Sequence, residues 1–115
     1  MDRDPRSYLF DVREAADAIL EFIAAVDMQG YASSALIHSA VERKFEIIGE
    51  ALNLLAKSDP VLAATIPEVR RIIAFRNLLI HGYAAVDHER VWAIANELLP
   101  GLRAAVDAAL REQAP

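Results

Sequence analysis

The sequence predicts an all-α fold, an antiparallel bundle of four main helices, and three observations carry that expectation. Apolar residues recur at i, i+3, i+4 and i+7 over long segments, the period of a helix with one buried face. Strand-like alternation is missing and β-branched clusters are short. Glycines and prolines fall between the periodic segments rather than inside them. At 115 residues and 55% hydrophobic content, the chain is large enough for a real core, and residues 1–115 read as a single domain.

The first helix is expected to start with Asp4 as N-cap and Pro5 in its first turn, and to run to about Val26. Leu9, Val12, Ala16, Ile19, Phe22 and Ile23 form its apolar face, and Gly30 marks the break after it. A second helix follows from about Ala32 to Lys57. Ile37, Val41, Phe45, Ile48, Leu52 and Leu55 make one stripe on it, and Leu36, Ala40, Ile47, Ala51 and Leu54 make a second beside the first. Together they exceed the stripe of about 100° that a surface helix needs. This helix is therefore central, shared with another subunit, or both. Ser58-Asp59-Pro60 ends it and opens a short turn through Ala64.

Thr65-Ile66-Pro67-Glu68 reads as a capping box, in which hydroxyl and carboxylate satisfy free backbone donors. The third helix runs from there to His81, with Gly82 expected at a left-handed C′ position. Asp87 is a plausible N-cap for the last helix, His88 to Glu112. That helix should contain a short extra helix or a break near Pro100-Gly101, because proline lacks a donor and crowds the preceding turn.

The formal net charge of −5 argues against a general nucleic-acid binder, which carries a basic face. It leaves room for an enzyme that engages a few phosphates at one place. Cysteine is absent, which excludes disulfides and thiolate metal sites and fits a reducing compartment. The start, Met1-Asp2-Arg3-Asp4-Pro5-Arg6, is polar and unlike a signal peptide. No apolar run approaches the roughly 20 residues needed to span a bilayer. A cytoplasmic location without membrane attachment is the expectation.

The chemistry gathers in Arg76-Asn77-Leu78-Leu79-Ile80-His81-Gly82-Tyr83. Arg76 falls near the middle of the stripe formed by Val69, Ile72, Ile73, Leu79 and Ile80. A buried charge without a partner is disfavoured by several kcal/mol, so a buried carboxylate, a water-filled cleft or a substrate phosphate must meet it. His81 would be the last helical residue, where unpaired carbonyls favour the imidazolium and a proton can be moved near neutral pH. The guanidinium suits a phosphate and the extra charge of a phosphorane-like transition state. Asn77, one turn before His81, can orient either partner. An arginine, a histidine and an amide suggest metal-independent RNA cleavage by attack of the 2′-OH. One histidine does not conveniently serve both sides of the phosphorus, whereas two copies across a two-fold axis do.

A purely structural account of the same residues also stands. Glu46, Glu50 or Asp11 can supply Arg76 with a carboxylate, and a histidine at a helix end is often only a cap. Tyr8 and Tyr31 read as packing or surface residues, Trp92 as core between the last and third helices, and Arg70 and Arg71 as a solvated face. His38 and His88 lack a second ligand at metal spacing, so no metal and no cofactor are expected.

The run Arg76 to Tyr83 resembles the Arg-x4-His-x-Tyr signature of HepT-like toxins of the HEPN superfamily. Val41-Glu42-Arg43-Lys44-Phe45-Glu46-Ile47-Ile48-Gly49-Glu50-Ala51 resembles that family's second helix. Ile66-Pro67, Val86-Asp87 and Val91-Trp92 resemble its second half. The resemblance implies a HEPN bundle that forms a homodimer and places two Arg-x4-His motifs at the interface. It implies a metal-independent ribonuclease acting on RNA as the toxin of a toxin–antitoxin pair. Arg76 and His81 then carry over as catalytic residues and Asn77 as a supporting one. Tyr83 carries over as the residue to which a cognate MntA-type nucleotidyltransferase antitoxin adds AMP. A non-catalytic HEPN adaptor that binds such a partner is the alternative, and a plain dimeric bundle is a third.

Overall fold

The computed structural model describes residues 3–112, and of Tyr83 only the backbone. The helices are α1 (Pro5–Ile23), α2 (Met28–Ser33), α3 (Ala35–Ser58), α4 (Pro60–Ala64), α5 (Val69–His81), α6 (His88–Ala93) and α7 (Leu99–Glu112). A 3₁₀ turn at Tyr83–Ala85 joins α5 to α6, and a π turn at Ile94–Leu98 joins α6 to α7. The four main helices are thus α1, α3, α5 and the rod of α6 and α7, as the periodicity predicts. Among the described residues there is no strand.

Side-chain caps start these helices. Asp4 accepts from the Arg6 N–H at 2.9 Å with Pro5 in the first position. Ser34 accepts from Ile37 at 3.1 Å, Asp59 from Leu62 at 3.0 Å and Asp87 from Glu89 at 3.0 Å. Each such cap contributes about 1 kcal/mol.

Five local expectations are corrected. Gly30 does not break the chain; its N–H donates to the Asp27 cap at 2.8 Å, inside α2. Asp27 and Ser34 are consecutive caps, so the long helix starts at Ala35 rather than Ala32, and the first ends at Ile23. The capping box does not form. Thr65 donates its hydroxyl to the Leu62 carbonyl at 2.7 Å, finishing α4, and Glu68 enters α5 in the left-handed region at φ 67° without a side-chain cap. Gly82 is not left-handed either, with φ −114° and ψ 30°. Its carbonyl accepts from the Ala85 N–H at 2.9 Å, so the chain passes straight into the 3₁₀ turn. The break expected at Pro100-Gly101 lies earlier, in the π turn. Pro100 has no N–H for the preceding turn, and widening that turn carries the rod past the proline.

α3 lies at the centre, packed between α1 and α5. Val41, Phe45, Ile48, Leu52 and Leu55 are fully buried. Phe45 meets Phe75 of α5 edge-on, 5.2 Å between ring centres. The second stripe is divided: Ala51 is buried, Ile47 and Leu54 are half-buried, and Leu36 is 83% exposed. Trp92 is only half-buried, and its ring tilts against Tyr31, 5.5 Å away, joining α6 to α2.

Charges line the α1–α7 seam. Arg13 reaches Asp107 at 3.0 Å and Arg103 reaches Asp17 at 2.9 Å. The Arg13 hydrogen bond holds the Asp107 carboxyl below its ordinary 3.8, with the Arg111 and Arg103 charges acting the same way against desolvation. A carboxylate held below its unfolded value stabilises the fold above that value and loses the contribution as pH falls through the folded one. Thermal stability should therefore decline from about pH 4 downward, and Asp107→Asn should flatten that decline. Melting curves between pH 6 and pH 2 would check it; an unaltered acid limb in Asp107→Asn would contradict it.

Candidate functional site

α3 and α5 come into close contact at a glycine. A Cβ built on Gly49 would lie 2.2 Å from the Arg76 Cβ and 2.6 Å from its Cγ. Those distances are unattainable for real atoms, so only glycine lets the Arg76 stem lie on the α3 backbone. From that contact the guanidinium continues to Glu50, the next residue on α3, with Nη2 2.5 Å from Oε2. Nη1 donates to the Asn77 Oδ1 at 3.0 Å. Nε is buried without a partner.

Of the three carboxylates that spacing left open, Glu50 is the partner. Asp11 pairs with Arg3 at 2.8 Å and Glu46 lies 3.7 Å from Arg43. All of them line one groove of about 230 Å³ between α1, α3 and α5, with Arg76 and Ile80 in its wall. The pair is only partly enclosed, Arg76 being 23% and Glu50 44% exposed. A phosphate reaching the guanidinium would compete with Glu50 in a site open to water.

His81 lies elsewhere on the helix. At 100° and 1.5 Å per residue it is about 140° around α5 from Arg76 and about 7.5 Å along it. Arg76 turns toward α3, whereas His81 is exposed in the last turn. Asn77 is exposed too and lies within about 40° of His81 on the wheel. Arg70 and Ala74 continue this exposed stripe. Asn77 therefore links the inward guanidinium to the face that bears the imidazole, while Arg76 and His81 of one chain point to different sides. Arg71 leans on Glu68 at 3.4 Å.

Tyr8 and Tyr31 are core residues, 5% and 0% exposed. The Tyr83 side chain, expected to accept AMP, lies outside the described residues; its backbone opens the 3₁₀ turn directly after α5 and Gly82. One expectation about histidines is overturned. His38 and His88, far apart in sequence, stack with ring centres 4.1 Å apart beside Glu42. Spacing along the chain hides this cluster because its members come from α3 and from the start of α6. Sequence reasoning also misses the role of Gly49, although a glycine in the middle of a long apolar helix is the signal of a close approach.

A family model described as "Ribonuclease HepT-like" matches residues 12–109. A protein named "Putative RNase MJ1380" from Methanocaldococcus jannaschii is 30% identical over 105 residues, 91% of this chain and 95% of its own. A "Probable ribonuclease HepT" from Thermococcus cleftensis is 33% identical over 103 residues, covering 90% and 93%. No solved structure matches.

The contact at Gly49 generates a direct expectation. Gly49→Ala should cost about 1–3 kcal/mol through overpacking, although alanine favours helix by about 1 kcal/mol. Denaturant unfolding would measure it. A variant as stable as the parent would mean that α3 and α5 separate freely at this point.

Proposed function

Because this chain belongs to the HepT-like ribonuclease family, we propose that it cuts RNA through Arg76 and His81 and serves as the toxin of a toxin–antitoxin pair. The observation that supports this reading is the Arg76–Asn77 hydrogen bond, which connects a phosphate-binding group to the exposed face ending in His81. In the proposed reaction two chains pair about a two-fold axis. One His81 takes the 2′-OH proton, the freed oxygen attacks the adjacent phosphorus, and the bond to the 5′-oxygen breaks. The second copy's His81 protonates that leaving oxygen. The products are a 2′,3′-cyclic phosphate and a 5′-hydroxyl. Arg76 stabilises charge on the phosphoryl oxygens, exchanging Glu50 for substrate as the phosphate arrives.

Pairing also accounts for apolar surface that one chain leaves uncovered, including Leu36 and Leu78, 83% and 42% exposed. The proposed antitoxin is a minimal nucleotidyltransferase that adds AMP to Tyr83. The added phosphate, two residues from His81, would repel and obstruct substrate. The Glu50 pair favours a second reading, in which Arg76 serves only as an ion-pair member between α3 and α5.

His81→Ala should lower cleavage by about 10² to 10⁴ while the chain remains folded, and the parent should still cut in EDTA, leaving cyclic phosphate ends. Retained activity in His81→Ala would defeat the mechanism. Arg76→Ala should likewise be folded and inactive; unfolding of that variant would favour the ion-pair reading. A separate check concerns regulation. Incubation with a cognate minimal nucleotidyltransferase and ATP–Mg should add AMP to Tyr83, seen by mass spectrometry, and cleavage should fall with the modified fraction. Adducts on other tyrosines alone would remove Tyr83 from the scheme.

A further inference from the structure

The cluster of His38, Glu42 and His88 is not used by the ribonuclease reading and stands independently of it. His38 and Glu42 lie one turn apart on α3, and His88 is the first residue of α6. Glu42 Oε2 is 3.5 Å from His38 Nδ1 and 3.8 Å from His88 Nδ1. Both separations exceed an N–H···O hydrogen bond, and both nitrogens are buried without a partner. The Tyr31 hydroxyl is a third buried group without a partner. Tyr31 is 0% exposed, and its ring centre lies 6.3 Å and 6.2 Å from the two imidazoles. Burial raises the pKa of this phenol and the negative charge of Glu42 raises it further, so the hydroxyl stays protonated.

Two imidazole nitrogens and one carboxylate oxygen thus converge on one place without a hydrogen bond among them. A dication satisfies all three donors together. Zinc bonds nitrogen and oxygen at about 2.0–2.2 Å in a tetrahedron, which sets donors roughly 3.4 Å apart. The three donor atoms already lie within 4.8 Å of one another. We propose that His38, Glu42 and His88 bind a divalent transition metal, zinc above all, through two imidazole nitrogens and one carboxylate oxygen.

Three ligands leave the fourth tetrahedral position to water or an outside donor. Glu42 is eight residues before Glu50 on α3, about 12 Å along the helix, so the metal is separate from the Arg76 network. Its mechanical effect falls on the junction between α5 and α6. It pins the first residue of α6 to α3, anchoring the connection that begins at Gly82 and carries Tyr83.

Zinc titrated into the full chain after EDTA treatment should bind at one ion per chain. It should raise the melting temperature by roughly 10 °C at a hundredfold excess over Kd. Cobalt in its place should give the visible absorption of a tetrahedral ion. His38→Ala, His88→Ala and Glu42→Gln should each weaken binding at least about tenfold, and Glu42→Gln keeps the side-chain shape should a histidine variant fail to fold. His81→Ala should bind zinc like the parent. Equal affinity in parent and Glu42→Gln, octahedral cobalt, or no binding at all would overturn the site. RNA cleavage followed in the same EDTA-treated sample tests the ribonuclease reading separately, since loss of the metal should lower the melting temperature without removing His81 chemistry.

Discussion

The close crossing of α3 and α5 at Gly49 is the constraint from which most of this molecule follows. Without a side chain there, the Arg76 stem rests on the neighbouring backbone and the guanidinium arrives beside Glu50. A wider crossing would also separate Phe45 from Phe75, whose edge-on contact fills the same interface. One absent methyl group thus determines both how tightly the two central helices pack and where a strong positive charge is held. The helix-propensity cost of a mid-helix glycine, about 1 kcal/mol, is offset by that packing.

α3 carries two separate polar stations on an otherwise apolar scaffold. Toward its start stand His38 and Glu42, facing α6; further along stand Gly49 and Glu50, facing α5. Between them Phe45 and Ile48 are completely buried. A rigid helix with a filled core between the stations keeps each geometry independent of the other. The second apolar stripe is uneven along the same helix, Leu36 being exposed near its start and Ala51 buried further on.

Most of the architecture was legible in the sequence because it rests on periodicity and on local caps. Asp4, Asp59 and Asp87 cap where their position predicts. The misread points have tertiary or competing local causes. Thr65 found a carbonyl behind it instead of a donor ahead of it. Gly82 sits at a helix end, yet it leads into the following 3₁₀ turn with a negative φ of −114°. At the site, a charge inside an apolar stripe announced that Arg76 needs a partner. It did not say which carboxylate, because Asp11, Glu46 and Glu50 all reach one groove. The pairing of His38 with His88 was invisible for a stronger reason. It depends on how tertiary packing brings His88, at the start of α6, beside His38 and Glu42 of α3, which no local pattern encodes.

The α1–α7 seam combines two forces that divide their labour. Leu102 and Val106 are buried and supply adhesion that has little directional preference. The Arg13–Asp107 and Arg103–Asp17 pairs add little energy individually because they stand near water. Their value is one of register: sliding α7 by one turn, about 5.4 Å, would set Arg13 against Arg111 and Asp17 against Asp107 while leaving much of the greasy contact intact. Since the Debye length is about 10 Å at 0.1 M salt and about 3 Å at 1 M, concentrated salt blurs this alignment before it loosens attachment. The last helix is held on by oil and aimed by ions.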